Sequence, residues 1–350
     1  LLSRKKYFVS NAVFCRTQNP HENFSRCPRG KRGQAEAKGV FMPVKFKPLS
    51  AWRVALIVIA SVSLTAAVGC SKRREASVGT PSNPLMVVLS PAHAPATPEI
   101  LPVFKRLIEE KSGMAIDITI ASSPFAAIEM FGINEADAGL LTLEEYLIAK
   151  EEYKTHAELQ AVRESSSTSY ESVILVRTGS PVKTITDLTG KKVAFSDAYS
   201  LSGFMLPAIY LDKAGIAVSP EFSGGHEASA AMLARGETDA AATYARMAQR
   251  YPGLQVLACA GVLPNEPFVT RAGLLPEKRK AITDAVAALS SSMEGKRALA
   301  SVADITGFQQ VSGDIYRPVH ELIRSARKSV YDLIPDGWNI RRLNEPYYPD

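Results

Sequence analysis

The chain has 350 residues, room for two domains or one two-lobed domain with a buried core. With 46% hydrophobic and 22% charged residues it is not a disordered chain. Its net charge of +6 is unevenly divided: residues 1–74 hold 15 Lys/Arg against 2 Asp/Glu, and residues 75–350 hold 26 against 33. The part expected to fold is therefore mildly acidic and lacks the basic footprint of a nucleic-acid binder.

Residues 1–41 show no periodicity and read as upstream translation or a leader, with Met42 as the expected start. After the basic stretch of Lys45, Lys47 and Arg53, residues 54–69 form an uncharged apolar run. At a rise of ~1.5 Å it spans about 24 Å, short of the bilayer's hydrocarbon core, so 42–70 reads as a secretory signal and not as a membrane span. Its end, Ala67-Val68-Gly69-Cys70, resembles the bacterial lipobox, which makes Cys70 a lipidation site. An ordinary signal peptide with an incidental Cys70 is the plainer alternative. Cys15 and Cys27 would then be absent from the mature protein, and Cys259, in the apolar run 257–260, is expected as a buried small hydrophobe. Residues 71–84 read as a flexible tether.

From Leu85 the chain alternates strands and helices. Strands are expected at 85–89, 115–121 and 138–141, with helices at 97–112, 124–130 and 143–152 between and after them. Thr97-Pro98 would open the first helix and Ser112-Gly113 close it. A second unit has strands at 172–176, 192–195, 240–243 and 254–258, and helices at 184–188, 202–214 and 227–235. Three helices, 276–293, 295–303 and 318–331, follow. This rhythm predicts an α/β architecture with largely parallel strands. Lobe one is expected from 85–172 plus 264–350, and lobe two from 173–263, with a ligand cleft between them.

The stretch from Phe195 to Pro207 ends a strand, turns, and opens a helix behind Ser200-Leu201-Ser202. Helix-start N–H groups and serine hydroxyls suit a small oxyanion, although such serines also serve as plain N-caps. Four further segments matter: Ser169-Tyr170-Glu171-Ser172, Ser223-Gly224-Gly225-His226-Glu227, Gly236-Glu237-Thr238-Asp239-Ala240, and Leu263-Pro264-Asn265-Glu266-Pro267. In this order and spacing they resemble the phosphonate/phosphite-binding proteins of bacterial ABC transporters, over roughly residues 85–323.

That resemblance implies a two-lobed periplasmic-binding-protein-like fold of type II, with the ligand held between the lobes and no chemistry performed on it. It makes Ser200 and Ser202 ligands to the phosphoryl oxygens, with Leu201 where the family often has Thr. Tyr170 matches a phenol donor, and Phe125 stands where Tyr is common. His226 matches a histidine that reaches the ligand from its own helix start. Glu266, where Asp is usual, would accept a P–OH proton and so reject sulfate; a solvated loop acid is the alternative. Arg246 stands where aminoalkyl-phosphonate binders place an acid, which disfavours an ammonium-bearing ligand unless Arg246 faces solvent.

No His/Cys pair has metal-ligand spacing, and no nucleotide or nucleophile motif is present, so no metal, cofactor or catalytic residue is expected. The reading is a monomeric lipoprotein of the periplasm or cell surface, anchored through Cys70. It would deliver a small phosphorus oxyanion (phosphonate, phosphite or phosphate) to a permease and its ATPase. A sensor feeding a signalling partner, a same-fold binder of an unrelated anion, and an enzyme on this fold stay open as alternatives.

Overall fold

The computed structural model describes residues 75–93, 99–163 and 166–340. The signal, Cys70 and residues 71–74 of the expected tether, together with Thr97-Pro98, lie outside the described residues. The rest of the expected tether is corrected: Val78 is buried in the core, Glu75 pairs with the buried Arg271, and Gly79 shares backbone hydrogen bonds with Asn83 and Ala115. In chain order the strands and helices are β1 (Leu85–Leu89), α1 (Ile100–Ser112), β2 (Ile116–Ile120), α2 (Pro124–Gly132), β3 (Ala138–Leu140), α3 (Leu143–Tyr153) and β4 (His156–Val162). Then come β5 (Ser169–Arg177), β6 (Lys192–Phe195), α4 (Leu206–Lys213), β7 (Ser219–Phe222), α5 (His226–Ala234), β8 (Ala240–Tyr244), α6 (Arg246–Arg250) and β9 (Leu254–Pro264). The remainder is β10 (Pro267–Thr270), α7 (Pro276–Ala287), α8 (Met293–Ala303), β11 (Gly307–Gln310) and α9 (Arg317–Ser325).

These strands build two sheets, ordered β11-β4-β10-β3-β1-β2 and β7-β6-β8-β5-β9. β1 pairs in parallel with β2 and β3, as helical crossovers require. The expectation of largely parallel sheets is corrected at β10, which runs antiparallel to both β3 and β4, and at β5, antiparallel to β8 and β9. The reason is topological: the chain leaves the first sheet after β4 and returns after β9, and each transit segment adds a strand without a helical crossover. The first sheet is covered on both faces, by a cluster around Leu85, Phe104, Ile108 and Leu299 and by a second around Tyr146, Leu147, Tyr316 and Tyr331. The second sheet carries separate clusters around Phe195 and Leu211 and around Leu233 and Met247.

Local chemistry sets the ends of the elements. Gly113 closes α1 at φ 68°, a left-handed conformation that suits glycine. Thr142 and Glu145 form a reciprocal capping box on α3. Cys259, expected inside, is exposed, because β9 is an edge strand with residues facing out on the side away from the core. The helix expected over 318–331 stops at Ser325, and Val330–Leu333 forms a separate turn capped by Ser329. Among the described residues no helix is long and apolar enough to cross a membrane.

Glu145 is fully buried, with its carboxylate accepting from the Ser90 hydroxyl at 2.7 Å and the Thr142 N–H at 2.9 Å. Burial pushes its carboxyl up to about 7, against the pull of those hydrogen bonds. The native state therefore keeps a proton that the unfolded chain releases near its ordinary value, and stability falls as pH rises from about 4.5 to 7. Glu145→Gln keeps a capping-box side chain without the titration. Urea unfolding of both proteins from pH 5 to 7 is expected to show the variant gaining on the parent as pH rises, on the order of 2 kcal/mol. Parallel curves would contradict the assignment.

Candidate functional site

Where the two sheets face each other lies a cavity of about 500 Å3. Its walls include Thr142, Glu144, Arg163, Tyr170, Ser200, Ser202, His226, Tyr244, Arg246, Asn265, Glu266 and Asp304. Six of the eight expected ligand residues thus meet the cavity or its lining, and the other two, Phe125 and Leu201, do not line it. Phe125 packs against the first-sheet core instead. The Leu201 side chain is fully buried in that same cluster beside Met205 and Leu206, so only its backbone is available to the site.

The helix start is built in layers. Asp197 accepts the N–H groups of Tyr199 and Ser200, both at 2.8 Å, which turns the chain after β6. Ser200 then caps the next segment by accepting the Gly203 N–H at 3.0 Å. Leu201–Met205 is a turn of π-helix that runs directly into α4. The Leu201 N–H does not point into open space: it donates to Glu144 Oε1, on α3 of the first sheet's lobe, at 3.1 Å.

His226 is the first residue of α5, after a turn in which Gly224 takes φ 93° and donates to the Ser196 carbonyl at 2.7 Å. Its Nδ1 lies 3.0 Å from Thr243 Oγ1 and its Nε2 3.4 Å from Ser200 Oγ, and its ring meets Tyr244 edge-on. Burial lowers its pKa to about 4, only weakly opposed by Asp197, so the imidazole is neutral at physiological pH. Tyr170, on β5, reaches the Ser202 hydroxyl; burial, with Glu144 and Glu266 nearby, raises its phenol well above the usual value. It is a neutral hydrogen-bond donor.

Glu266 departs from its expected setting. Its two carboxylate oxygens accept from the Arg163 guanidinium, one of them at 2.7 Å and the other closer still, in the forked arrangement that Arg favours. It is neither a solvated loop acid nor an uncompensated acceptor. Arg246 also differs from the solvent-facing alternative: it lines the cavity and pairs with Asp304, at the end of α8, at 2.8 Å. The Glu144–Leu201 and Arg246–Asp304 contacts both run from one lobe to the other. Glu144, Arg163, Asn265 and Asp304 were not expected at the site. Asn265 stands within a segment singled out by the sequence, but Glu144 carries no local signal beyond being an acid in the first turn of a helix.

The fold and site together define a two-lobed binding protein of the type II periplasmic class. The model of the family described as ABC transporter, phosphonate, periplasmic substrate-binding protein matches residues 89–316, well over half the chain, and the chain belongs to that family. A curated relative, the phosphate-import protein PhnD of Mycolicibacterium smegmatis, is 28% identical over 159 residues, 41% of this chain, and the chain spans about half the length of that relative. Among solved structures, a binding protein of an ABC phosphonate transporter from Pseudomonas aeruginosa is 18% identical with a TM-score of 0.56, covering 70% of this chain and 87% of its own. PhnD1 from Prochlorococcus marinus, in complex with methylphosphonate, is 17% identical with a TM-score of 0.55, covering 70% of this chain and 98% of its own. At these identities the structural likeness concerns the fold.

Gly203 has no room for a side chain. A Cβ there would lie 1.9 Å from Ser196 Oγ and 2.8 Å from His226 Cε1. Gly203→Ala is therefore expected to cost about 1–3 kcal/mol of stability and to displace the imidazole, seen as a lower melting temperature and a shifted His226 NMR signal. In the parent protein that signal is expected to stay flat from pH 8 to pH 5, since the ring ionises only near pH 4. A midpoint above pH 6 would mean that the ring is solvated.

Proposed function

We propose that this chain is the solute receptor of an ABC transporter and that its ligand is a small phosphorus oxyanion, a phosphonate, phosphite or phosphate. Family membership supports the transporter role. The observation that carries the ligand class is the convergence of neutral donors on one cavity: the Ser200 and Ser202 hydroxyls, the Tyr170 phenol and the His226 imidazole. Cations are present too, but Arg163 is engaged with Glu266 and Arg246 with Asp304. A tetrahedral anion there would be held by dipoles and hydroxyls, which discriminate by geometry, more than by bulk positive charge.

Capture follows from the topology. The four donors belong to the second sheet's lobe, and Thr142 and Glu144 of the first lobe line the same cavity, so a ligand that meets both walls would stabilise the closed arrangement over the open one, the form a permease would recognise. Tethering through a lipidated Cys70 would keep a monomeric receptor beside its permease at the membrane surface. The mildly acidic folded part and the basic leader are consistent with export followed by anchoring. No step of bond-making belongs to this reading.

Calorimetric titration with phosphite, phosphate, methylphosphonate, aminoethylphosphonate and sulfate tests it. One phosphorus anion is expected to bind at micromolar Kd or tighter, about −8 kcal/mol, with sulfate at least a hundredfold weaker. Ser202→Ala is expected to weaken that binding by about 10- to 100-fold, the usual cost of a hydrogen bond to a charged group. Silence across the whole panel would refute the ligand class.

A further inference from the structure

We infer that Glu144, and not Glu266, sets the protonation state of the ligand: the cavity takes an oxyanion that shares one proton with the Glu144 carboxylate and turns away anions that have no proton to share. This inference rests on the receptor reading above.

The geometry leads there directly. The Leu201 N–H opens the helical segment 201–213, whose flanking Ser200 and Ser202 hydroxyls line the cavity. Glu144 Oε1 already accepts that N–H, at 3.1 Å, from the opposite lobe. An oxyanion seated against the same turn must therefore lie beside the Glu144 carboxylate. Two ionised oxygens in that position repel, whereas one proton between them makes a short, charge-assisted hydrogen bond. Glu266 cannot play this part while both of its oxygens accept from Arg163.

The charged groups that bear most on Glu144 are acids. From the second lobe Asp197 faces it, and from the transit between lobes Glu266 does; both are acids and both favour the protonated form. Tyr170, on β5, is a neutral phenol, and His226, on α5, is a neutral imidazole. Arg163, Arg246 and Arg250 also line the cavity, and they pair with Glu266, Asp304 and Glu227. Glu145, next along α3, turns away to Ser90. Burial pushes the Glu144 carboxyl up, against the hydrogen bonds from its own N–H and from Leu201. Where Glu144 is ionised the shared proton must come with the ligand: phosphonates and phosphite keep one near neutral pH or regain one readily, while sulfate and sulfonates have none to offer.

The test is calorimetry of the full chain with methylphosphonate, run in buffers of different ionisation enthalpy so that proton uptake is counted. At pH values above both the second ionisation of the ligand and the ionisation of Glu144, the parent protein is expected to take up about one proton per ligand bound, and its affinity to fall about tenfold per pH unit. Glu144→Gln offers an amide donor in place of the shared proton. It is expected to bind methylphosphonate with no proton uptake and a flattened pH profile, and to gain at least tenfold in sulfate affinity. Glu144→Ala, whose circular dichroism and melting temperature are checked against the parent, is expected to lose proton uptake as well. Equal proton uptake and equal slopes in all three proteins would overturn the inference and leave the receptor reading standing. So would aminoethylphosphonate binding the parent more tightly than methylphosphonate with no proton taken up, since Glu144 would then be receiving an ammonium. Failure of the parent to bind any phosphorus anion would overturn both.

Discussion

The site depends on two short passages of backbone between the sheets being held side by side by one buried amide. The Asn265 side chain donates to the carbonyls of Ala161, in β4, and Ser167, near the end of the outward passage, both at 2.9 Å. Its own N–H donates to the Thr168 carbonyl, and its carbonyl accepts the Tyr316 hydroxyl at 3.1 Å. Gln160 adds a bond to Thr168 from β4. The outward and return passages are thus laced together where the chain crosses between the two sheets. Arg163, Glu266 and Tyr170 sit on or beside this lacing, which is why residues a hundred positions apart meet in a single wall. An apolar residue at 265 would remove the two side-chain bonds, to the Ala161 and Ser167 carbonyls, and leave the passages joined only through backbone groups and Gln160.

Electrostatically the cavity is balanced. Glu144, Glu266 and Asp304 face Arg163, Arg246 and Arg250, and the histidine between them is neutral. A pocket with a large positive excess would attract anions indiscriminately and favour the most highly charged. One in which the arginines are committed to internal partners leaves recognition to directional donors, whose positions are set by helix starts and capped turns. Arg246 illustrates the shift in meaning. As an isolated residue it would be a cation in a binding pocket, but paired with Asp304 across the cleft it is a structural tie whose charge is spent before any ligand arrives.

Much of this was legible in the sequence. The β-α-β alternation, the strands at Leu85–Leu89 and Lys192–Phe195, and the serine-flanked helix start are local patterns, and local physics settles them. Four strands escaped notice for identifiable reasons. β4 interrupts its apolar face with Gln160, which is buried only because Gln309 and Thr168 satisfy its amide. β7 and β11 lie at sheet edges, where alternation is diluted by exposed residues, and β10 is four residues opening on proline. At the site, Ser200, Ser202, Tyr170 and His226 could be named because their motifs are contiguous. Glu144 and the partners of Glu266 and Arg246 could not, since each is defined by a contact spanning 57 residues or more that no spacing rule encodes.

The two ties across the cleft, from Glu144 to the Leu201 N–H and from Arg246 to Asp304, also bear on opening. Both join the protein's own groups, so a motion that parts the lobes must break both, and a solute seated between them has to make up for that loss. The share of time spent parted then enters the observed affinity as a factor of its own, separate from the grip of the donors around the solute.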